Sequence, residues 1–411
     1  MKTISPFRFL HHVHANASKS DAQRCLILAA FSDTSMDIFG LDGSEDILSM
    51  QRCLEEMGAT FIGTNPMQVR PINKKLKRTL VLNVGESGFA LRTLAFLSLV
   101  CSDNVTINGS GTMLNREQGQ LITILKQLGL TVDSNQGKIP LHIKGDPSIS
   151  DLTVDGSAGS QAISGLCLLA PHLPNGLNIR VNDLKSKPYL EMTIHRMHAM
   201  GISIEALGEN TYSIAGNQSY HPSTCHIEGD WSGAANHIVG AAISGIVHLS
   251  GLRIDSLQAD RQILEVITEF GATVEQSESE LIVRESLEKT PFHTNIEDCP
   301  DLFPILVVLA CAANGTSIIH GIQRLQNKES DRLLVMCELL TTFGLSYQIQ
   351  SNEIHIHGTG KIGGGIVNTH QDHRIAMAAS IAATISTQDI ILSDESCISK
   401  SYPKFFQDLR C

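Results

Sequence analysis

The segment CLEEMGATF, residues 53–61, carries the pattern that decides the fold: apolar residues at helical spacing, a glycine, and a β-prone run. The same pattern recurs in ILKQLGLTV (124–132), RMHAMGISI (196–204), VITEFGATV (266–274) and LLTTFGLSY (339–347). The glycines Gly58, Gly129, Gly201, Gly271 and Gly344 follow one another at intervals of 71, 72, 70 and 73 residues. Glycine commonly ends helices because it adopts the left-handed conformation without strain. Five evenly spaced occurrences indicate an internal repeat.

A second series of segments alternates with the first, and each begins with small, polar or charged residues before a long apolar stretch. These segments are SKSDAQRCLILAAF, GESGFALRTLAFLS, AGSQAISGLCLLA, GDWSGAANHIVGAA, CPDLFPILVVLACA and QDHRIAMAASIAAT. A helix that is apolar on nearly every side is buried. Each repeat is therefore predicted to contain one buried helix, one amphipathic helix and the strands between them.

The repeats predict an α/β chain with two domains. Three complete repeats would form a central domain over residues 13–226. The C-terminal SYPKFFQDLRC fits a sixth amphipathic helix but lacks a following strand, which the N-terminal KTISPFRFL could supply. Residues 1–12 and 227–411 are therefore predicted to form the other domain, with a hinge where the chain crosses near residues 12 and 226.

The composition narrows the class of protein. The 411 residues are 42% hydrophobic and 18% charged, which is typical of a globular chain, and no apolar run is long enough for a membrane span. A net charge of −11 argues against nucleic-acid binding, so anionic substrates would need a locally basic cleft. Ten scattered cysteines lack the spacing of a zinc site, and with no apolar secretory signal at the start they favour reduced thiols in a cytoplasmic protein.

Several candidate ligand-binding residues lie at the starts of helices, where unpaired N–H groups and the helix dipole favour anions. Lys19 and Ser20 precede Arg24 by about one turn and would suit a phosphate or carboxylate, although an N-cap serine with solvated charges is an equal alternative. Gly88 in GESG would let the backbone approach a ligand closely. Arg116 and Lys400 would each be an ordinary surface residue when taken alone, and Ser160 would serve as a helix cap, an alternative that is weaker for Gln161. Ser186 and Tyr189 lie in SKPY, which is predicted to form a turn ahead of a helix, with a structural role as the equal alternative to binding. Arg374 begins an apolar helix, where charges are expected to cluster.

Two acidic side chains are candidates for proton transfer. Asp301 opens the most hydrophobic helix, where it would be either a cap or a general base in a dry cleft. In KESDR, Lys328 and Arg332 are predicted to lie one turn apart on a helix, a like-charge pair that costs stability unless an anion or acid lies between. Neutralisation by Glu329 or Asp331 is the alternative to a bound anion.

Taken in order, the motifs SKSDAQR, GESG…LR, DGSAGSQ, SKPY, GDWSGA, PD, NKESDR, QDHRIAM and a closing SK resemble the family of 5-enolpyruvylshikimate-3-phosphate synthases over nearly the whole chain. The resemblance implies two similar domains, each of three βαβαββ units with buried parallel helices, joined by a two-stranded hinge. It also implies a monomeric enzyme that moves the enolpyruvyl group of phosphoenolpyruvate to the 5-hydroxyl of shikimate 3-phosphate through a tetrahedral intermediate. The family reaction needs no metal or organic cofactor.

The resemblance also assigns residues. Shikimate 3-phosphate would be bound by Lys19, Ser20, Arg24, Ser160, Gln161, Ser186, Tyr189, Asp301 and Lys328. Phosphoenolpyruvate would be bound by Lys19, Gly88, Arg116, Gln161, Arg332, Arg374 and Lys400. Lys19, Asp301 and Glu329 would be catalytic, with Asp301 taking the hydroxyl proton and Glu329 protonating the methylene carbon. Domain closure is expected to bring the cations of the two domains together.

The chain departs from the usual family motifs at several positions. Asn16-Ala17 stands in place of Pro-Gly, Glu86 in place of an asparagine, Phe89 in place of a small hydroxyl residue, and Glu117 in place of a proline. Gly159 replaces a serine and Arg324 replaces an asparagine. A sister enzyme acting on UDP-N-acetylglucosamine is one alternative, but it carries Lys-Asn early and a loop cysteine, whereas this chain has Lys19-Ser20 and no cysteine in residues 109–119. A non-catalytic phosphate-binding paralogue and a phosphate-end-processing relative acting on RNA are the others.

Overall fold

The structure is a computed structural model that describes residues 1–73, 78–221, 224–277 and 279–409. The chain divides into two compact units. The central unit comprises residues 17–227, and the terminal unit comprises residues 1–16 and 228 onward. Residues 13–16, assigned above to the central domain, lie in the terminal unit because the strand Phe9–His14 pairs with the strand Gly245–Ser250.

The helices of the described residues are α1 (Lys19–Ala30), α2 (Glu45–Glu56), α3 (Gly88–Cys101), α4 (Gly119–Gln127), α5 (Gln161–Leu169), α6 (Lys187–Ala199), α7 (Trp231–Ser244), α8 (Ile263–Glu269), α9 (Phe303–Ala312), α10 (Arg332–Thr342), α11 (His373–Ala382) and α12 (Phe405–Asp408). The strands are β1 (Lys2–Ile4), β2 (Phe9–His14), β3 (Met36–Phe39), β4 (Thr60–Ile62), β5 (Met67–Arg70), β6 (Leu80–Asn83), β7 (Asn104–Asn108), β8 (Thr131–Asn135), β9 (Lys138–Lys144), β10 (Asp151–Asp155), β11 (Leu177–Asn182), β12 (Ile204–Gly208), β13 (Thr211–Ile214), β14 (Cys225–His226), β15 (Gly245–Ser250), β16 (Thr273–Gln276), β17 (Glu280–Arg284), β18 (His293–Asn295), β19 (Asn314–His320), β20 (Tyr347–Gln350), β21 (Glu353–Thr359), β22 (Gly365–Val367) and β23 (Ile390–Leu392).

Each unit is built from three small sheets of one design. The sheets of the central unit have the orders β14-β3-β5-β4, β6-β7-β9-β8 and β10-β11-β13-β12. Those of the terminal unit have the orders β2-β15-β17-β16, β18-β19-β21-β20 and β22-β23-β1. The leading two strands of each sheet run parallel and the later pairs run antiparallel, as in β6, β7 and β9. The predicted α/β fold of βαβαββ repeats is confirmed.

The helix-ending glycines behave as the repeat predicted. All five have positive φ angles, from 77° at Gly344 to 111° at Gly58. A residue with a Cβ atom would be strained there, whereas glycine is not. The N-terminal strand is also where the repeat required it, because β1 pairs antiparallel with β23. The sixth amphipathic helix is only the short α12.

In each repeat the amphipathic helix lies at the surface of its unit, and the apolar helix lies in the interior. In the terminal unit every residue of α9 and of α11 is buried. In the central unit α5 approaches α3 so closely that a Cβ atom on Gly165 would lie 2.6 Å from the carbonyl oxygen of Arg92. Because the sides of these helices are packed in the core, their polar residues are concentrated at the helix starts.

The helices and the cysteines bear on the expectations about membrane spans and free thiols. Among the described residues, no helix combines the length and apolar character needed to cross a membrane. Of the nine cysteines in the described residues, eight are buried, Cys397 is half-buried, and all nine are free thiols.

Candidate active site

Lys19 is fixed at the start of α1 by an acidic residue from α2. Its Nζ lies 2.9 Å from Oδ2 of Asp46, a side chain that is only 5% exposed. Gln23, one turn along α1, donates from Nε2 to the Asp46 carbonyl oxygen and to Oγ of Ser87, each at 2.9 Å. These contacts hold the beginnings of α1, α2 and α3 together, so the lysine ammonium is positioned by three helices.

Arg24 is buried, and all three nitrogens of its guanidinium donate hydrogen bonds within the protein. Nε donates to Oγ1 of Thr193 at 2.8 Å, Nη1 to the Ser20 carbonyl oxygen at 2.5 Å, and Nη2 to the Tyr189 carbonyl oxygen at 2.7 Å. The ring of Phe89 lies under the guanidinium, with its centroid 4.4 Å from Cζ. Burial lowers the pKa of Arg24 to about 10, so the group stays charged at neutral pH. The predicted proximity of Ser20 and Arg24 is confirmed.

Gly88 begins α3 beside two guanidinium groups. A Cβ atom there would lie 2.8 Å from Nη1 of Arg92 and 3.6 Å from Nη1 of Arg116. Arg92 also donates from Nη1 to Oε1 of Gln161 at 3.0 Å, which ties α3 to the start of α5. A Cβ atom at this position would require the Arg92 side chain to shift, whereas glycine leaves the backbone uncovered beside the two guanidinium groups.

Arg116 follows the 3-10 helix Gly111–Asn115 and is held through a hydroxyl group. Its Nη2 donates to Oγ1 of Thr112 at 3.0 Å, and that hydroxyl donates to Oε2 of Glu86 at 2.6 Å. Glu86, one of the departures from the family motif, is therefore connected to Arg116 through Thr112.

Two serines of the central unit differ from their expected local structure. Ser160 precedes α5, but its side chain makes no capping hydrogen bond. Ser186 has φ 55°, and α6 begins directly after it at Lys187. The prediction that SKPY forms a turn ahead of the helix is therefore wrong for Lys187, Pro188 and Tyr189. Proline is compatible with a first helical turn because its missing N–H is not needed there.

Arg332 is the centre of the corresponding cluster in the terminal unit. It is 1% exposed, and its guanidinium donates to three carboxylates at once. Nε donates to Oδ2 of Asp372 at 2.9 Å, Nη1 to Oδ1 of Asp301 at 2.6 Å, and Nη2 to Oε2 of Glu329 at 2.8 Å. A fork of donors suits carboxylates and phosphates alike, so this arrangement fixes both candidate proton-transfer residues on one rigid group.

Each of those two acids also contacts a second cation. Nη2 of Arg374 donates to Oδ2 of Asp301 at 3.1 Å. Nζ of Lys400 lies 3.3 Å from Oε1 of Glu329. Lys400 is buried, with 8% of its side chain exposed, so the alternative of an ordinary surface lysine is wrong.

The KESDR segment is not one helix. Helix α10 begins at Arg332, and Asp331 is its N-cap, accepting from the N–H of Leu334 at 3.1 Å. The prediction that Lys328 lies one helical turn before Arg332 is therefore wrong, because the aspartate side chain takes the backbone donor that a longer helix would use. Neutralisation of Arg332 by Glu329 is confirmed.

Burial and neighbouring charges shift the pKa values of Asp301 and Lys328. Burial raises the pKa of Asp301, but the positive charges of Arg374, Arg332 and Lys328 outweigh it and hold that pKa well below its usual range. Burial lowers the pKa of Lys328 to about 8, against the attraction of Asp301 and with some help from Arg332 and Arg324. Asp301 is therefore ionised at neutral pH, whereas Lys328 titrates just above it.

The candidate residues form one cluster in each unit. The central cluster is Lys19, Ser20, Arg24, Gly88, Arg116, Ser160, Gln161, Ser186 and Tyr189. The terminal cluster is Asp301, Lys328, Glu329, Arg332, Arg374 and Lys400. The first presents cations and open backbone at helix starts, an arrangement that binds anions. The second holds two carboxylates against buried cations, an arrangement that can bind anions and transfer protons.

The whole sequence matches one family. The profile described as EPSP synthase (3-phosphoshikimate 1-carboxyvinyltransferase) covers residues 8–409. The chain belongs to the EPSP synthase family. A relative from Clostridium kluyveri named 3-phosphoshikimate 1-carboxyvinyltransferase is 31% identical over 410 residues, covering 99% of this chain and 96% of the relative. One from Methanospirillum hungatei with the same name is 33% identical over 407 residues, covering 96% and 94%.

Solved structures show the same fold. An EPSP synthase from Acinetobacter baumannii gives a TM-score of 0.81 at 22% identity, covering 99% of this chain and 97% of that one. The enolpyruvyl transferase NikO from Streptomyces tendae gives a TM-score of 0.78 at 14% identity, covering 99% and 96%. At these identities the likeness concerns the fold alone.

Some departures from the EPSP synthase motifs have visible structural reasons. Phe89 packs its ring against the Arg24 guanidinium. Gly159 has φ 121°, a conformation that the usual serine would adopt only with strain. Arg324 donates from Nη1 to the Glu297 carbonyl oxygen at 3.0 Å.

Sequence reasoning missed residues that position members of the two clusters, among them Asp46, Thr193 and Asp372. Asp46 pairs with Lys19, Thr193 accepts from Arg24, and Asp372 accepts from Arg332. The first two gave no local signal, because an acidic residue in a first helical turn and a threonine within a helix are common. Asp372 was visible at the start of an apolar helix, but nothing in the sequence indicated its partner.

Proposed function

We propose that this chain transfers the enolpyruvyl group of phosphoenolpyruvate to the 5-hydroxyl of shikimate 3-phosphate and releases phosphate. Its membership of the EPSP synthase family makes it a transferase of the shikimate pathway, which leads to aromatic amino acids. The observation that carries the proposal for this chain is the single buried guanidinium of Arg332, to which both Asp301 and Glu329 are bound. A base and an acid held on one rigid group are what addition across a double bond requires.

We assign the anionic groups of the substrates to the cations and helix starts of each unit. In the central unit, Lys19, Ser20, Arg24, Ser160, Gln161, Ser186 and Tyr189 are assigned to shikimate 3-phosphate, and Lys19, Gly88, Arg116 and Gln161 to phosphoenolpyruvate. In the terminal unit, Lys328 and Asp301 are assigned to shikimate 3-phosphate, and Arg332, Arg374 and Lys400 to phosphoenolpyruvate. The buried, hydrogen-bonded positions of several of these cations support the assignments. A cation fixed away from water stabilises the negative charge of a bound substrate strongly.

The proposed reaction begins with two proton transfers. Asp301 takes the proton of the 5-hydroxyl as its oxygen bonds to C2 of phosphoenolpyruvate, and Glu329 gives a proton to C3. The resulting tetrahedral intermediate then loses phosphate as the bond from C2 to the phosphate oxygen breaks, and the proton held by Asp301 passes to the departing phosphate. C3 returns a proton to Glu329, and the product is an enol ether. We assign to Lys19 the role of balancing the negative charge that moves during these steps.

The acceptor substrate is tested by measuring phosphate release from phosphoenolpyruvate. We expect release with shikimate 3-phosphate and none with UDP-N-acetylglucosamine, the acceptor of the sister enzyme. Release that depends on the sugar nucleotide would show that the acceptor is wrongly assigned. Failure with both acceptors would favour a non-catalytic role, and direct binding of shikimate 3-phosphate by calorimetry would then be measured.

The Lys328 ammonium predicts a pH dependence of substrate binding. Its pKa of about 8 means that the charge is lost as the pH rises from about 7 to 9. The substrate phosphate is already dianionic there, because its second pKa is about 6, and the pKa of Arg24 is higher, about 10. We expect the KM for shikimate 3-phosphate to rise over this range, in steady-state assays at closely spaced pH values.

A guanidinium at position 328 provides the control for that pH dependence. Lys328→Arg keeps its charge throughout, so its KM should stay nearly flat between about pH 7 and 9. An equal rise in the variant and the parent would mean that another group titrates and that Lys328 does not contact the phosphate.

The hydroxyl of Thr112 is predicted to position Arg116 for phosphoenolpyruvate. Thr112→Val keeps the shape but removes the link between Glu86 and Arg116. A hydrogen bond to a charged group contributes about 1.5–3 kcal/mol, and we expect the KM for phosphoenolpyruvate to rise about tenfold with little change in kcat. Thr106→Val, at a sheet position where threonine contacts His142, is the matched control and should leave both constants unchanged. A fall in kcat alone would contradict the positioning role.

We further propose that the protein works as a monomer in the cytoplasm. The buried free thiols among the described cysteines support this location, because thiols remain reduced there. The monomeric state is the expectation for the family, and light scattering of the purified protein would test it.

A further inference from the structure

A group of three potential metal ligands lies on the outer face of the sheet β2-β15-β17-β16 in the terminal unit. His12 on β2 is directly paired with His248 on β15, and Glu280 on β17 is opposite Ser250, two residues further along β15. Side chains at directly opposite and two-residue offset positions share one face of a sheet. His12 is exposed, and His248 and Glu280 are half-buried, so all three are reachable from solvent.

The side chains are already close to one another. The two imidazole rings are stacked, with centroids 4.3 Å apart and planes inclined by 19°. Nδ1 of His248 lies 3.2 Å from Oε1 of Glu280. Among the described residues, this is the group of three such side chains whose possible ligand atoms all lie within 4.8 Å of one another. Ligands at about 2.0–2.2 Å around a tetrahedral ion lie about 3.3–3.6 Å apart. Two stacked rings cannot both present an in-plane lone pair to one ion, so the exposed His12 ring would have to rotate out of the stack to complete the site.

We propose that His12, His248 and Glu280 form a binding site for a divalent transition-metal ion of the zinc class. Two imidazoles and one carboxylate suit zinc and its neighbours, and they leave room for water at the remaining positions. The residues belong to neither cluster of the proposed reaction, and the proposal does not depend on that function.

Two other strand pairs of the described residues carry an exposed histidine beside a hydroxyl. His142 faces Thr106 at 3.0 Å between β7 and β9, and His357 faces Thr316 at 3.2 Å between β19 and β21. In each of these pairs the histidine contacts a hydroxyl and not a second imidazole. These positions therefore provide histidines of similar exposure that should not bind a metal ion.

Another group in the terminal unit makes a stricter comparison. Glu353 accepts from Nε2 of His355 at 2.7 Å through Oε1 and contacts Nδ1 of His320 at 3.3 Å through Oε2. Here the carboxylate lies between the imidazoles and occupies one nitrogen of each with a different oxygen. The three ligand atoms therefore do not converge on one point, and we expect no chelation at this group.

The experiment is a calorimetric titration of the full chain, freed of metal by EDTA and dialysis, with Zn²⁺ near neutral pH. We expect one equivalent to bind, and His12→Ala and His248→Ala each to weaken binding at least about tenfold. Co²⁺ in place of Zn²⁺ should give visible absorption bands that both variants lose.

The controls are His142→Ala and His355→Ala, which should bind Zn²⁺ as the parent does. Thermal unfolding in EDTA checks that each variant remains folded, and the exposed His12→Ala alone decides the question if His248→Ala does not fold. Absence of saturable binding overturns the proposal. Binding that survives His12→Ala, or that is lost in His355→Ala, overturns it as well.

Discussion

Replacing Asp301 by asparagine should lower kcat by about 10²–10⁴-fold, the usual contribution of a general base. An amide of nearly the same shape cannot take the proton of the 5-hydroxyl. The folded state should survive, because Arg332 keeps Glu329 and Asp372 as partners. Losing the negative charge also leaves Arg332 and Arg374 more available to an anion, so the KM for phosphoenolpyruvate should not rise. Steady-state kinetics with both substrates and thermal unfolding measure these outcomes.

Asp298→Asn is the matched control for this variant. Asp298 lies three residues earlier and is exposed, so the same chemical change there should leave kcat unchanged. If Asp301→Asn turned over within about tenfold of the parent, Asp301 would not be the base, since tenfold corresponds to only about 1.4 kcal/mol of the barrier.

The low pKa of Asp301 fits this role in a particular way. With its pKa held well below the usual range, the carboxylate is ready to accept a proton at every physiological pH, but it is a weak base. Its strength depends on how firmly Arg332 and Arg374 hold it. An anionic substrate that draws either arginine away would raise the pKa of Asp301 and make it a stronger base when the hydroxyl is present.

The sequence predicted the fold well because the decisive signals are local. Glycines such as Gly58 and Gly344 end helices through their own backbone conformation, and the apolar helices show their burial in their composition. Pairings between distant strands have no such signal. The pairing of β2 with β15 joins residues 236 positions apart, as in His12 and His248, and it moved the unit boundary from residue 13 to 17.

The members of the candidate site could be named from the sequence, but their partners could not. Lys19 and Arg332 stand out at helix starts, and the family resemblance gave them roles. Their buried partners Asp46 and Asp372 come from other helices, so only the folded structure identifies them. The prediction of one helix through KESDR was wrong for a local reason. The Asp331 side chain acts as a helix cap, whereas the prediction treated it only as a charge.

Glu329→Gln should separate the acid from the base, with kcat again lowered by about 10²–10⁴-fold. Glutamine has no acidic proton for C3, although its amide oxygen can still accept from Nη2 of Arg332. Removing the charge leaves Lys400 and Arg332 less neutralised, so phosphoenolpyruvate should bind at least as well as to the parent. Binding and turnover are therefore expected to move in different directions.

Reaction in D₂O tests the proton transfer itself. In the proposed reaction the intermediate has a methyl group made with one solvent proton, so the parent should place deuterium on C3 of the product and of recovered phosphoenolpyruvate. In Glu329→Gln this incorporation should fall in parallel with kcat, as measured by NMR or mass spectrometry. Glu338→Gln, an exposed position on α10 that contacts His370, should behave as the parent. Parental incorporation in Glu329→Gln, or a raised KM for phosphoenolpyruvate with unchanged kcat, would show that Glu329 orients Lys400 and Arg332 and is not the acid.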